Sequence, residues 1–209
     1  MNSKHIKVKI ILVEPEGPLN VGSVARLCSN FKIDQLRIVS PKCDIYSLDS
    51  VKMSLKGFSY IKESKIFNSL DDAIKDCDLV IATCGRIDNT EDPNNHSPEE
   101  ISNWIRFSKN INNLALIFGR EARGLTNQEL LLAHRVLTID TNPYYSSLNL
   151  SHAVSIVLYE IGKCLKKNSF KKEKNYRDLA STKHIEESFN EVEELLLKVG
   201  YLLKHTAKA

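Results

Sequence analysis

Short apolar runs alternate with amphipathic stretches over most of the chain. Val8–Val13 is a β-rich run, closed by Glu14-Pro15-Glu16-Gly17-Pro18, which can neither prolong a strand nor open a helix cleanly. Asn20 is placed to cap the stretch that follows, where Val21, Val24, Ala25, Leu27, Cys28 and Phe31 keep helical spacing. Leu36–Val39 predicts a second strand, residues 50–58 a short helix, and Ile66-Phe67 a brief strand. A helix opens at Ser69 and runs through Cys77, with Asp71 and Asp72 in its first turn. Leu79–Thr83 predicts a strand, the polar segment 84–97 a loop, and Ser97-Pro98-Glu99-Glu100 a helix start. Leu114–Phe118 and Arg135–Ile139 predict two more strands, with Thr126 and Glu129 forming a capping-box pattern between them. A helix from about Asn149 carries one apolar stripe through residue 165. The last helix, from about Thr182, repeats Ile185, Phe189, Val192, Leu196, Val199 and Leu203 at near-heptad spacing.

The strand runs are short, apolar and not alternating, and helices separate them through residue 165. That is the pattern of an α/β protein with a parallel sheet covered on both faces. Ligand sites in such sheets lie in loops at the carboxyl ends of strands. Four such loops, 14–20, 83–97, 119–125 and 140–149, are rich in Gly, Pro, Asn, Ser and charged residues.

Composition narrows the class without naming it. The chain has 209 residues, 42% hydrophobic and 26% charged, enough for a substantial core and unlike a disordered chain. No run approaches the length of a membrane span, and the apolar run near the N-terminus is too short for a secretory leader. Five cysteines, none in a C-x-x-C pair, point to reduced thiols and a cytoplasmic setting. A net charge of +3 is too mild to mark a nucleic-acid binder. The distribution says more: residues 163–183 hold eight basic residues against Glu173 and Asp178. This block reads either as a solvated linker or as a phosphate-binding arm.

Standard fingerprints are missing. There is no G-x-G-x-x-G after the first strand, no Walker A loop, no H-E-x-x-H and no G-x-S-x-G. The six histidines are dispersed and pair with no cysteine at metal spacing, so no metal is expected. The loop Gly119–Leu125, with a glycine near each end, suits either close approach of backbone to a ligand or a plain strand–turn–helix connection. Asn142-Pro143-Tyr144-Tyr145-Ser146-Ser147-Leu148-Asn149 gathers two hydroxyls, two amides and two aromatics before a helix N-terminus, either as a site or as an elaborate cap. Glu14 and Asn20 fall near Arg26, itself about two turns into its helix.

Three segments together resemble one family. Glu14-Pro15-x-x-Pro18-x-Asn20-x-Gly22-Ser23-x-Ala25-Arg26, Ile117-Phe118-Gly119-Arg120-Glu121-x-x-Gly124-Leu125-Thr126, and Ile139-x-x-Asn142-Pro143-x-Tyr145-Ser146-Ser147-Leu148-Asn149-Leu150-Ser151-x-Ala153-Val154 resemble motifs 1, 2 and 3 of the SpoU/TrmH group of SPOUT methyltransferases. The third is nearest the TrmJ branch, which acts on the tRNA anticodon loop. The resemblance implies an α/β fold with a C-terminal trefoil knot over residues 1–165, followed by a basic linker and helical extension over 166–209. It implies a homodimer with no membrane association. It also implies S-adenosylmethionine bound by Thr83, Cys84, Gly85, Gly119, Ile139, Ser146, Ser147 and Leu148. The implied reaction is methylation of a ribose 2′-hydroxyl, at position 32 of tRNA. An rRNA target or a non-catalytic RNA-binding relative are the alternatives, and a nucleotide-dependent oxidoreductase is a distant third.

The family's catalytic positions fall on Asn20, Arg26, Glu121, Ser147 and Asn149. A guanidinium stays protonated in proteins, so Arg26 is expected to clamp phosphate and steady alkoxide charge and not to act as a base. Glu121 is either a base or an anchor for Arg26 or Asn20. Arg120 and Arg123 fit phosphate contacts or a plain surface role. With RNA as partner, the basic block 163–183 becomes a candidate backbone contact.

Overall fold

A computed structural model describes residues 6–85, 95–108, 111–165 and 182–201. Two compact units divide the chain, Met1–Lys167 and Asn168–Ala209.

In the first unit the apolar runs become strands β1 (Lys7–Val13), β2 (Gln35–Val39), β3 (Lys65–Phe67), β4 (Leu79–Thr83), β5 (Asn95–His96), β6 (Asn113–Phe118) and β7 (Arg135–Leu137). Among the described residues they form one sheet in the order β3-β2-β1-β6-β4-β7-β5, with every pairing parallel. Between them run α1 (Pro18–Phe31), α2 (Leu48–Ser54), α3 (Phe58–Lys62), α4 (Leu70–Ile74), α5 (Pro98–Phe107), α6 (Asn127–Leu131) and α7 (Leu150–Leu165).

Side chains alternate across a strand, and each parity has its own cover. Ile10, Leu12, Leu36, Ile38, Leu116 and Phe118 pack with α1, α3, α5 and α7 on one face. Ile11, Val13, Val39, Val80 and Ile117 pack with α4, Leu125 and Leu130 on the other. Burial on both faces is why the strands read as unbroken apolar runs. Lys9 and Arg37 interrupt the second face. Both are buried, and both bond to Asp76, just past α4, with Lys9 Nζ at 2.9 Å and Arg37 Nη2 at 2.8 Å.

Several boundaries differ from the sequence reading. Helix α1 starts at Pro18 after Gly17, which has no side chain to cap it, so Asn20 lies inside the first turn and caps nothing. The helix expected at 50–58 is α2, one 3-10 turn (Leu55–Gly57) and α3, bent where Leu55 takes φ 49°. The close fit of Gly57 against the Ala25 carbonyl fixes that bend against α1. Helix α4 stops at Ile74, before Cys77. Segment 84–97, expected to be all loop, contributes β5, and β7 ends at Leu137, not Ile139. In the second unit, α8 (Thr182–Lys198) leaves Phe189, Val192 and Leu195 exposed, and Val199 just past it is exposed too. Most of the basic block, 166–181, lies outside the described residues.

Candidate functional site

Because every strand is parallel, all their carboxyl ends face one edge. The four loops singled out above follow β1, β6, β4 and β7, which are neighbours in that order. Leu12 pairs with Phe118, Ala82 with Ile117 and Thr83 with Leu137, so the chain leaves the sheet at one level in all four. The fold therefore converts four segments scattered between residues 14 and 149 into one continuous rim.

A chain of side-chain hydrogen bonds crosses that rim. Asn149 Nδ2 donates to Asn20 Oδ1 at 2.9 Å, and Asn20 Nδ2 donates to Glu121 Oε1 at 2.9 Å. Glu121 also accepts from the backbone N–H of Glu16 at 2.9 Å and of Gly17 at 3.0 Å. Each amide is fixed in orientation, since it donates in one direction and accepts in the other. Asn149 also caps α7, where its Oδ1 accepts from Ser151 N at 2.9 Å and Ser151 Oγ at 2.7 Å. One residue thus serves both as cap and as link. Asn20 is free for its link because it caps nothing. A Cβ at Gly17 would lie 3.2 Å from both Asn20 Nδ2 and Glu121 Oε1, so glycine there leaves the network its space. Burial pushes the Glu121 carboxyl up, but the bonds from Asn20, Glu16 and Gly17 together outweigh it and hold the group below its ordinary value. Glu121 is consequently a charged anchor.

Beneath this network lies a second one that the sequence did not show. Arg120, with a side chain 8% exposed, donates Nε to Glu14 at 2.7 Å and grips Glu129 through Nη1 and Nη2, both at 2.9 Å. Its Nη1 also donates to the Gly124 carbonyl at 3.2 Å. A phosphate-contact role for Arg120 is disfavoured, because the side chain is buried and four of its five N–H donors bond inside the protein. Glu14 also meets Lys42 at 3.5 Å, and its backbone takes φ 45°. The Arg120 hydrogen bond is the main cause of a Glu14 carboxyl held below its usual value. Residues 120–124 form a tight turn, closed by the Gly124 N–H on the Arg120 carbonyl at 2.9 Å. Gly124 takes φ 67°, and a Cβ at Gly119 would overlap the Gly124 backbone, so both glycines answer steric demands of this turn.

The other candidates sit on the same rim without joining the network. Thr83 donates Oγ1 to the Ile117 carbonyl at 2.9 Å, and the Cys84 N–H bonds the Leu137 carbonyl at 2.9 Å. Gly85 is exposed, with open space where a Cβ would stand. Ile139 is half-buried against the main core, and Leu148 is half-buried in the last loop. The Ser146 carbonyl accepts from Thr141 Oγ1 at 3.0 Å, while Ser147 is exposed and makes no side-chain contact among the described residues. Arg26 is likewise exposed and has no ion-pair or hydrogen-bond partner among them. One step past β7, the buried hydroxyl of Thr138 finds no hydrogen-bond partner. Sequence reasoning missed Thr138, Lys42, the pairing of Glu14 with Arg120 and the second task of Glu129; only the last left a trace, in the capping box. Among the described residues no group of three or more His, Cys, Asp or Glu is placed to hold a metal, and no helix is long and apolar enough to cross a membrane.

Residues 7–159 match the SpoU rRNA Methylase family. A protein of Sulfolobus acidocaldarius named tRNA (cytidine-2'-O-)-methyltransferase TrmJ is 46% identical over 157 residues, which cover 74% of this chain and 64% of that one. This chain thus spans a little under two thirds of that relative. Among solved structures, a probable methylase family protein from Haemophilus influenzae aligns with TM-score 0.71 at 32% identity, covering 96% of this chain and 83% of that one. TrmJ from Z. mobilis aligns with TM-score 0.67 at 29% identity, covering 93% and 82%.

Proposed function

The chain belongs to the SpoU rRNA Methylase family, and from that membership we propose that it methylates the 2′-hydroxyl of a ribose in RNA, with a tRNA anticodon loop as substrate and S-adenosylmethionine as methyl donor. The observation that carries the reading is the Asn149–Asn20–Glu121 chain, which ties three motif segments into one polar edge. The name borne by the Sulfolobus relative supports tRNA over rRNA.

The residues present fit the donor. The unpartnered Thr138 hydroxyl, the open space at Gly85 and the half-buried Ile139 and Leu148 offer a polar contact and apolar walls for an adenosine-sized group. Thr83, Cys84, Gly119, Ser146 and Ser147 complete that edge. S-adenosylmethionine supplies an electrophilic methyl group when bound. The chain's own residues then position the hydroxyl and stabilise its charge. As the 2′-oxygen attacks, its proton passes to solvent water and negative charge builds on the oxygen. Arg26, exposed and free of acid partners among the described residues, is the cation on the helix of Asn20 that can meet that charge and the adjacent phosphate. Asn20 and Asn149, held by each other and by Glu121, orient the ribose, with Ser147 beside them. Glu121 anchors Asn20 and does not take the proton, since three donors occupy its oxygens and hold its proton affinity below that of an ordinary carboxylate.

We further propose a trefoil knot in the C-terminal half, a homodimer, and a cytoplasmic, reducing setting. Leu19 on α1 and Ile156 and Tyr159 on α7 are exposed apolar residues that support a second copy. Cys28, Cys43, Cys77 and Cys84 are free thiols, in keeping with that setting. Purified protein, labelled S-adenosylmethionine and separate tRNA and rRNA pools test the reading, followed by mapping of the methylated ribose. Label in tRNA that disappears with a 2′-deoxy target is expected; label in rRNA alone, or none, overturns it.

A further inference from the structure

The loop between β7 and α7 carries two aromatic rings that the fold does not use. Tyr144 is 97% exposed and Tyr145 is 80% exposed. Neither ring makes a side-chain contact among the described residues. They are nonetheless held in place. Asn142 accepts from the Tyr144 N–H through Oδ1 at 3.0 Å and from the Tyr145 N–H through its carbonyl at 2.9 Å, and Pro143 stiffens the turn between. A hydrogen-bonded turn thus presents both rings outward.

Their place gives the rings a use. Tyr145 precedes Asn149 by four residues and Tyr144 by five, so at about 3.6 Å per residue both backbones lie within about 18 Å of the Asn149–Asn20 link. Asp140, Asn142 and Ser147 around them are exposed and polar, so no apolar patch continues outward as a protein interface would need. Arg26 on α1 and Arg123 on the β6 loop are exposed and free of acid partners among the described residues. Rings and uncommitted cations in loops and helix starts at one sheet edge match the chemistry of a nucleotide, with a π-face for the base and charge for the phosphate.

We propose that Tyr144 and Tyr145 form a stacking platform for an unpaired RNA base next to the ribose under attack; this rests on the RNA methyltransferase reading above. An RNA loop presents splayed bases, whereas a duplex keeps them stacked, so the platform selects single-stranded targets.

The test uses an RNA hairpin carrying 2-aminopurine in its loop, beside the mapped methylation site. Tyr144→Ala should raise KM for this RNA about tenfold or more and abolish the fluorescence quench on binding, the scale of losing one base–aromatic stack. Turnover at saturating RNA and calorimetric affinity for S-adenosylmethionine should stay unchanged, and Tyr144→Phe should behave as wild type. Unchanged KM and quench in Tyr144→Ala,Tyr145→Ala, or a loss of cofactor affinity in place of RNA affinity, overturns the platform. Wild-type protein that binds and quenches the hairpin without methylating any RNA would instead refute the activity and leave the platform standing.

Discussion

Replacing Arg120 with methionine keeps most of the stem volume and removes only the guanidinium. It would strip out the bonds to Glu14 at 2.7 Å and to Glu129 at 2.9 Å twice, leaving two carboxylates that are 22% and 17% exposed without their shared cation. Removing one partner of a buried ion pair costs about 3–5 kcal/mol, and the residual water access here favours the lower end, about 3 kcal/mol. That is a large share of a typical total of about 5–15 kcal/mol, yet it should leave the protein folded. Urea unfolding at neutral pH should show a lower midpoint with an unchanged slope. The sign of the pH dependence identifies the cause. In the wild type, Arg120 holds Glu14 below its ordinary 4.5, and Glu129 is also held below that value against its own burial. Their contribution is fully present above the ordinary carboxylate range and is lost as pH falls through the depressed folded values. In Arg120→Met, burial and mutual repulsion push both carboxyls up, so stability is instead lost as pH rises through the raised values. The gap between the two proteins should therefore close as pH falls from about 7 toward 4, and Glu14→Gln added to Arg120→Met should recover part of it. A gap that stays constant over that range, or a double variant no more stable than Arg120→Met, would refute the electrostatic account and leave lost packing as the cause.

Arg26→Ala should lower turnover about a hundredfold or more at saturating RNA and cofactor, the scale for one transition-state donor, with cofactor affinity unchanged. Arg26→Lys should recover only part of it, since the planar fork is lost. Glu121→Gln should lower turnover yet keep the slope of log kcat against pH between about 6 and 9, because a carboxylate held below its ordinary value stays ionised there; a flattened slope would reassign Glu121 as the base. Calorimetric binding of S-adenosylmethionine should survive excess chelator, and affinity that vanishes with chelation would show that a metal takes part.

Much of the fold was legible because burial on both faces of a parallel sheet writes itself as unbroken apolar runs. Ile10 and Leu12 face one helical layer while Ile11 and Val13 face the other, so no polar position interrupts β1 after Lys9. The errors came where tertiary packing overrides local signals. Strand β5 has only two residues, and its pairing with β7 comes from neighbours distant in sequence. Helix α2 ends where Gly57 presses on α1, a contact unreadable from spacing. Lys9 and Arg37 sit inside apolar runs; the carboxylate that makes their burial tolerable, Asp76, is 39 residues from the nearer of them.

The site was legible for a different reason, and only in part. Loops after parallel strands must meet at one edge, so naming four such loops was enough to bring Asn20, Glu121 and Asn149 together. What each polar group does at that edge depends on which donors remain after internal demands are met. Glu14, Arg120 and Glu129 consume one another, although Arg120 and Arg123 look equivalent in sequence. Asn20 reads as a cap, but the helix starts two residues earlier, and its amide is released to join Asn149 to Glu121. Arg26 carries the opposite lesson. Of the two arginines within the motif segments 14–26 and 117–126 whose charge no acid claims, it is the one on the helix that also carries Asn20. An uncommitted cation on the same helix as a fully committed amide is what a site needs when its negative partner arrives with the substrate.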